Sequence, residues 1–97
     1  MKSKKKLKFK PTHPGLVLQE ALDESGLSQS KLANHVGVTQ SKINEICRGK
    51  RGLSIEMCAK LGRAFGLSTE FWYNLQKQFE LDSLDESDFE GINKVAA

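Results

Sequence analysis

Apolar residues recur along this chain at helical rather than alternating spacing. The clearest stretch is 29–48, QSKLANHVGVTQSKINEICR. Leu32, Ala33 and Val36 share one face of a predicted helix over 29–36. Gly37 stands where the chain must turn, because a left-handed backbone costs glycine nothing. Thr39 is the expected N-cap of a second helix over 40–48, which turns Ile43 and Ile46 inward and stops at Gly49. Ala33 is small where two steeply crossing helices need close approach. Gln40, Ser41, Asn44, Glu45 and Arg48 are left on the outer face.

The flanks carry three more helical patterns. One begins near Pro14, tolerated in a first turn, buries Leu16, Val17 and Leu22 or their neighbours, and stops at Gly26. Another is capped by Ser54, points Ile55, Cys58, Leu61 and Phe65 inward and ends at Gly66; Gly62 inside it costs roughly 1 kcal/mol relative to alanine. The last is capped by Ser68 or Thr69, with Glu70 well placed in its first turn. Phe71, Leu75 and Phe79 repeat at i, i+4 and i+8, with Trp72 and Tyr73 beside them. One helix of a five-helix domain needs a single buried stripe, so this aromatic excess asks for a second surface. The expectation places Phe71, Trp72 and Leu75 toward the core, and Tyr73, Gln76, Lys77 and Glu80 more outward. Trp72, Tyr73, Gln76 and Phe79 are the expected contacts of a homodimer.

The predicted fold is all-α: a five-helix domain over 13–81 between an arm, 1–12, and a tail, 82–97. Charge sharpens these boundaries. The net charge of +3 conceals six lysines and no acid in residues 1–10, a mildly basic middle, and six acids against Lys94 in residues 80–97. The arm reads either as a solubilising tail or as a segment laid along phosphates, and 7–10 alternates as a short edge strand would. The tail, with Leu84, Phe89, Ile92 and Val95 as isolated apolar points, reads either as a frayed end or as a segment that folds onto a basic partner. A domain this small buries only about 60% of the surface its unfolded chain exposes, so dimerisation is a natural supplement.

Candidate chemistry is that of binding. Cys47 and Cys58 are the only cysteines and have neither Cys-x-x-Cys spacing nor a histidine cluster, so they read as packing thiols of a reducing compartment. His13 reads as a cap or a local hydrogen-bonding group, structural rather than catalytic, and His35 as structural, and no metal or cofactor is expected. With no nucleophile–base spacing, no carboxylate pair in an apolar context, no signal-peptide pattern and no membrane span, the expectation is a cytoplasmic protein that is not an enzyme. The outer face of 40–48 suits base edges in a major groove of double-stranded DNA, with Gln40, Ser41 and Asn44 as base contacts. Ser28 caps a helix start beside Gln29, where free N–H groups can hold a phosphate. Thr39, Gln29, Arg48, Lys50 and Arg51 would position the backbone, with Arg48 also able to reach guanine; Lys31 and Lys42 lie near phosphates or are solvated. Glu45 would accept from cytosine or repel wrong registers. The loop Gly49-Lys50-Arg51-Gly52 is either a phosphate contact or a solvated turn.

The pattern QSKLANHVGVTQSKINEICRGKRG resembles the helix-turn-helix of Xre/Cro-type repressors. THPGLVLQEAL before it and RGLSIEMCAKLGRAFGLSTEFWYNLQ after it are similar to the HigA antitoxin family, also called virulence-associated protein I. His13-Pro14-Gly15, Leu27-Ser28-Gln29, Gly49-Lys50-Arg51, Phe71-Trp72 and Asn74-Leu75-Gln76 carry that resemblance, which covers about 11–81. It implies close helix packing at Gly62, a Gln29 that braces the first motif helix against the DNA backbone, and a loop after the recognition helix that meets phosphates. It also implies a dimer on a palindromic operator and a partner, a HigB-type toxin that is a small basic ribonuclease acting on messenger RNA. A stand-alone repressor of the same fold is the alternative, and a protein-interaction module without DNA binding a third.

Overall fold

The computed structural model describes residues 10–96. The regular structure in that span is all-α: α1 Pro14–Ser25, α2 Gln29–Val36, α3 Gln40–Cys47, α4 Ile55–Phe65 and α5 Thr69–Ser83, followed by a 3₁₀ turn, Glu86–Phe89. The expected edge strand over 7–10 falls almost wholly outside the described residues, and Lys10 has no regular structure.

Every α-helix starts on a side-chain cap. His13 Nδ1 accepts from the Gly15 N–H at 2.9 Å, and Ser28, Thr39, Ser54 and Ser68 accept from the amides of Lys31, Lys42, Met57 and Phe71. Each such cap satisfies one of the donors a helix start leaves open and contributes about 1 kcal/mol. Gly37, at φ 76°, closes α2 in the left-handed region that the turn demands. Expected through Arg48, α3 ends one residue earlier; Arg48 becomes its C-cap and Gly49 takes the left-handed position.

The core is Leu18, Leu22, Leu32, Ala33, Ile43, Ile46, Leu53, Met57, Cys58, Leu61 and Trp72. Burial of each large apolar side chain stabilises by about 1.5–3 kcal/mol. Three expectations about which faces point inward need correction. In α1 the buried stripe is Pro14, Gly15, Leu18 and Leu22, while Leu16 is 57% exposed. Gly15 sets that register, because a Cβ there would overlap the Ile46 carbonyl and only glycine lets α1 lie on α3. In α4, Met57 joins Cys58 and Leu61 inside, whereas Ile55, the first helical residue, is 59% exposed. The close approach at Gly62 is to a loop rather than a helix, since a Cβ would stand 2.6 Å from the Leu67 carbonyl.

The largest correction concerns α5. Trp72 is completely buried, and Gln76, expected outside, is only 8% exposed; Phe71, expected inside, is 39% exposed with its ring set edgewise 5.4 Å from Trp72. Gln76 Oε1 accepts from the Leu53 N–H at 2.8 Å and Nε2 donates to Glu80 at 2.8 Å. Gly52 makes room for that amide, since a Cβ would lie 2.9 Å from Gln76 Nε2. Trp72 and Gln76, two of the expected homodimer contacts, are therefore buried in this chain's own core. Tyr73 and Phe79 remain half-exposed. Phe79 meets the His13 ring edgewise at 4.7 Å, and burial there pushes the His13 pKa down. Cys47 is half-buried and Cys58 buried, both as free thiols whose pKa burial raises, which suits packing rather than reactivity. No helix among the described residues is long and apolar enough to cross a membrane. Helix α5 continues past residue 81 to Ser83, and from Leu81 to Ala96 every residue is exposed, including Leu84, Phe89, Ile92 and Val95.

Candidate functional site

Helices α2 and α3 pack through Leu32, Ala33, Ile43 and Ile46, all buried. That anchorage decides which side of α3 faces solvent. Gln40 and Ser41 in its first turn are exposed, as are Thr39 at the cap and Arg48 at the end. Lys42 is half-buried and sits over the cap, where the Thr39 hydroxyl accepts from its amide at 3.1 Å. The result is an open, amide- and hydroxyl-bearing helix start on an apolar base.

Two side-chain contacts tie the remaining residues to that face. Asn44 is half-buried, and its Nδ2 donates to Gln29 Oε1 at 3.2 Å, bracing the start of α2 against the middle of α3. Glu45 is ion-paired with Arg51, whose Nε and Nη2 both stand 2.8 Å from Glu45 Oε1. The loop is bent toward that carboxylate because the Lys50 N–H donates to the Glu45 carbonyl at 2.8 Å and the Gly49 N–H to that of Ile46 at 3.0 Å. Arg48, Lys50 and Arg51 are all exposed beside α3. Sequence reasoning named every member of this cluster but missed both couplings. Fifteen residues separate Gln29 from Asn44, with no local signal; Glu45 and Arg51 are opposite charges six apart, a hint that only the loop's fold turns into a contact.

Lys31 and His35 occupy another side of α2. His35, expected to be structural, is exposed and lines an open cleft with Leu27, Lys31, Asn34 and Ala64. Chemically, the α3 face offers donors and acceptors suited to base edges, rimmed by cations suited to phosphates.

Comparison with known proteins gives this geometry a context. The family description "Helix-turn-helix" matches residues 18–72. Virulence-associated protein I of Dichelobacter nodosus is 39% identical over 84 residues, covering 86% of this chain and 77% of that protein. The solved structure of antitoxin GraA superposes with a TM-score of 0.82 at 29% identity, covering 90% of this chain and 99% of that one. Pseudomonas aeruginosa antitoxin HigA, solved with the higBA promoter, superposes at 0.76 with 36% identity, covering 84% and 89% of the two chains.

Proposed function

We propose, for a chain that belongs to the helix-turn-helix family and within it to the HigA-type antitoxins, a dimer that represses its own operon and neutralises a HigB-type mRNA-cleaving toxin by direct contact. The observation that carries the DNA half is the exposed first turn of α3, held outward by buried Ile43 and Ile46 and rimmed by Arg48, Lys50 and Arg51. Operator and promoter complexes of the relatives GraA and HigA support it. Gln40 and Ser41 read base edges, amides and hydroxyls being suited to adenine and to water-mediated contacts. Asn44 joins them on leaving Gln29, or holds Gln29 toward the phosphates. Thr39, Lys42, Arg48 and Lys50 fix the register, and the lysines of residues 1–10 add affinity without sequence preference.

Two copies joined through the half-exposed side of α5, with Tyr73 and Phe79, place two α3 helices in successive major grooves about 34 Å apart on a palindromic operator. The acidic tail, with its exposed apolar side chains, suits a basic toxin. Purification from the native host, lightly tagged and at salt high enough to strip nucleic acid, tests the toxin half through native mass. A small partner at defined stoichiometry is the expected result. A bare homodimer would leave a stand-alone repressor.

A further inference from the structure

We infer that Glu45 is a specificity-determining residue: by holding the Arg51 guanidinium it withdraws one cation from sequence-independent DNA binding and releases it only in the correct register. This rests on the DNA-reading assignment above. The grip is geometric. Two guanidinium nitrogens, Nε and Nη2, converge on one carboxylate oxygen at 2.8 Å, and the backbone bond from Lys50 N–H to the Glu45 carbonyl delivers the loop to that place. The carboxylate is on α3 itself, one turn beyond Ser41, so it sits between the reading positions and the basic loop. Folding gains only modestly from the pair, since the two side chains are 47% and 42% exposed and solvent screens much of their attraction. Its consequence is for the polyanion that approaches this face.

At an arbitrary register, a passing phosphate must compete for Arg51 with a carboxylate already in contact. Arg51 stays paired and releases no counterion. Where Gln40 and Ser41 meet their bases and Arg48 and Lys50 their phosphates, the phosphate nearest Arg51 is held in place, and the guanidinium transfers to it. Glu45 then faces the groove, where a carboxylate accepts from the amino group of cytosine and repels edges that offer no donor. A carboxylate on the reading face thereby raises discrimination by penalising wrong partners rather than by strengthening the right one.

The test uses Glu45→Gln, which keeps shape and removes charge. Wild-type protein first selects a duplex from a randomised library, and affinities are then measured against salt for that duplex and for a scrambled one of equal length. The variant should bind the scrambled duplex about three- to tenfold more tightly, with a log–log salt slope steeper by about 0.9, the value of one added phosphate contact. Its affinity for the selected duplex should stay within about twofold, so the specificity ratio falls about three- to tenfold. Arg51→Lys, which keeps charge but loses the two-nitrogen grip, should move the scrambled-duplex affinity and slope the same way by less. Weaker binding of both duplexes by Glu45→Gln would overturn the inference in favour of a pair that merely positions Arg51. An equal gain on both would reduce Glu45 to a general electrostatic brake. Failure of the wild type to select any sequence is a separate result that removes the DNA reading itself. Circular-dichroism melting close to wild type establishes that each variant is folded.

Discussion

Helices α3 and α5 obey opposite rules. In α3 the inner side is purely aliphatic, Ile43 and Ile46, and the outer side is polar, so the helix is amphipathic in the simple sense. In α5 a glutamine lies inside and a phenylalanine is 39% exposed. The difference comes from what each helix must satisfy. Helix α3 needs only to be anchored and to present a face. Helix α5 must also supply an acceptor for the Leu53 N–H, which the loop before α4 leaves without a helical partner, and Gln76 does so at 2.8 Å. A buried backbone donor without an acceptor costs about 1–3 kcal/mol, enough to place an amide where periodicity asks for an aliphatic side chain.

The largest effect is expected at the centre of α5. Trp72→Ala should cost about 3–5 kcal/mol in chemical denaturation, since the side chain is wholly buried and joins Phe65 and Phe71. A loss under about 1 kcal/mol would mean that Trp72 serves a surface instead. Gln76→Leu improves the apolar pattern of α5, yet should destabilise by about 1–3 kcal/mol by orphaning the Leu53 amide. The same replacement at exposed Gln40 should stay within about 0.5 kcal/mol. If Gln76→Leu stabilised the fold, the contrast between the two helices would collapse.

Smaller effects sharpen the picture at the edges. Lys50→Ala should leave stability alone, weaken binding to every duplex about equally and make the salt slope shallower by about one; a sequence-dependent loss would move Lys50 into the reading set. At the corner where α1 meets α5, burial lowers the His13 pKa, and its Nδ1 must stay unprotonated to accept from Gly15. With the folded-state value below the unfolded one, the contribution of His13 is complete above the ordinary histidine range and declines as pH falls through the folded value. His13→Asn keeps a capping oxygen and removes the titration. It should lower stability at neutral pH through loss of the Phe79 contact and flatten the decline that sets in as pH falls below the ordinary histidine value. An unchanged slope would assign that decline to other groups.

What sequence revealed follows from the same contrast. Caps at Ser28, Thr39 and Ser54 and the turn at Gly37 were legible because they are local: a hydroxyl reaches an amide three residues on, and a left-handed residue favours glycine. The outer face of α3 was legible because Ile43 and Ile46 fix it. Gln76 was not, because its partner is 23 residues away and is a backbone group that carries no sequence signal. Leu16 and Leu18 could not be separated by periodicity, since the deciding contact is Gly15 against Ile46 on another helix. Within the candidate site, the membership was legible and the pairing was not: Asn44 with Gln29, and Glu45 with Arg51, exist only once the loop and the two helices are in place.

The measurement that bears most directly on the account is the affinity of Gln40→Ala for the duplex selected by the wild type, set against a scrambled duplex at the same salt. If exposed Gln40 reads a base as proposed, its loss should cost about 1–3 kcal/mol on the selected duplex and nothing on the scrambled one. Equal weakening of both would contradict it, and would make α3 a backbone-binding helix rather than a reader.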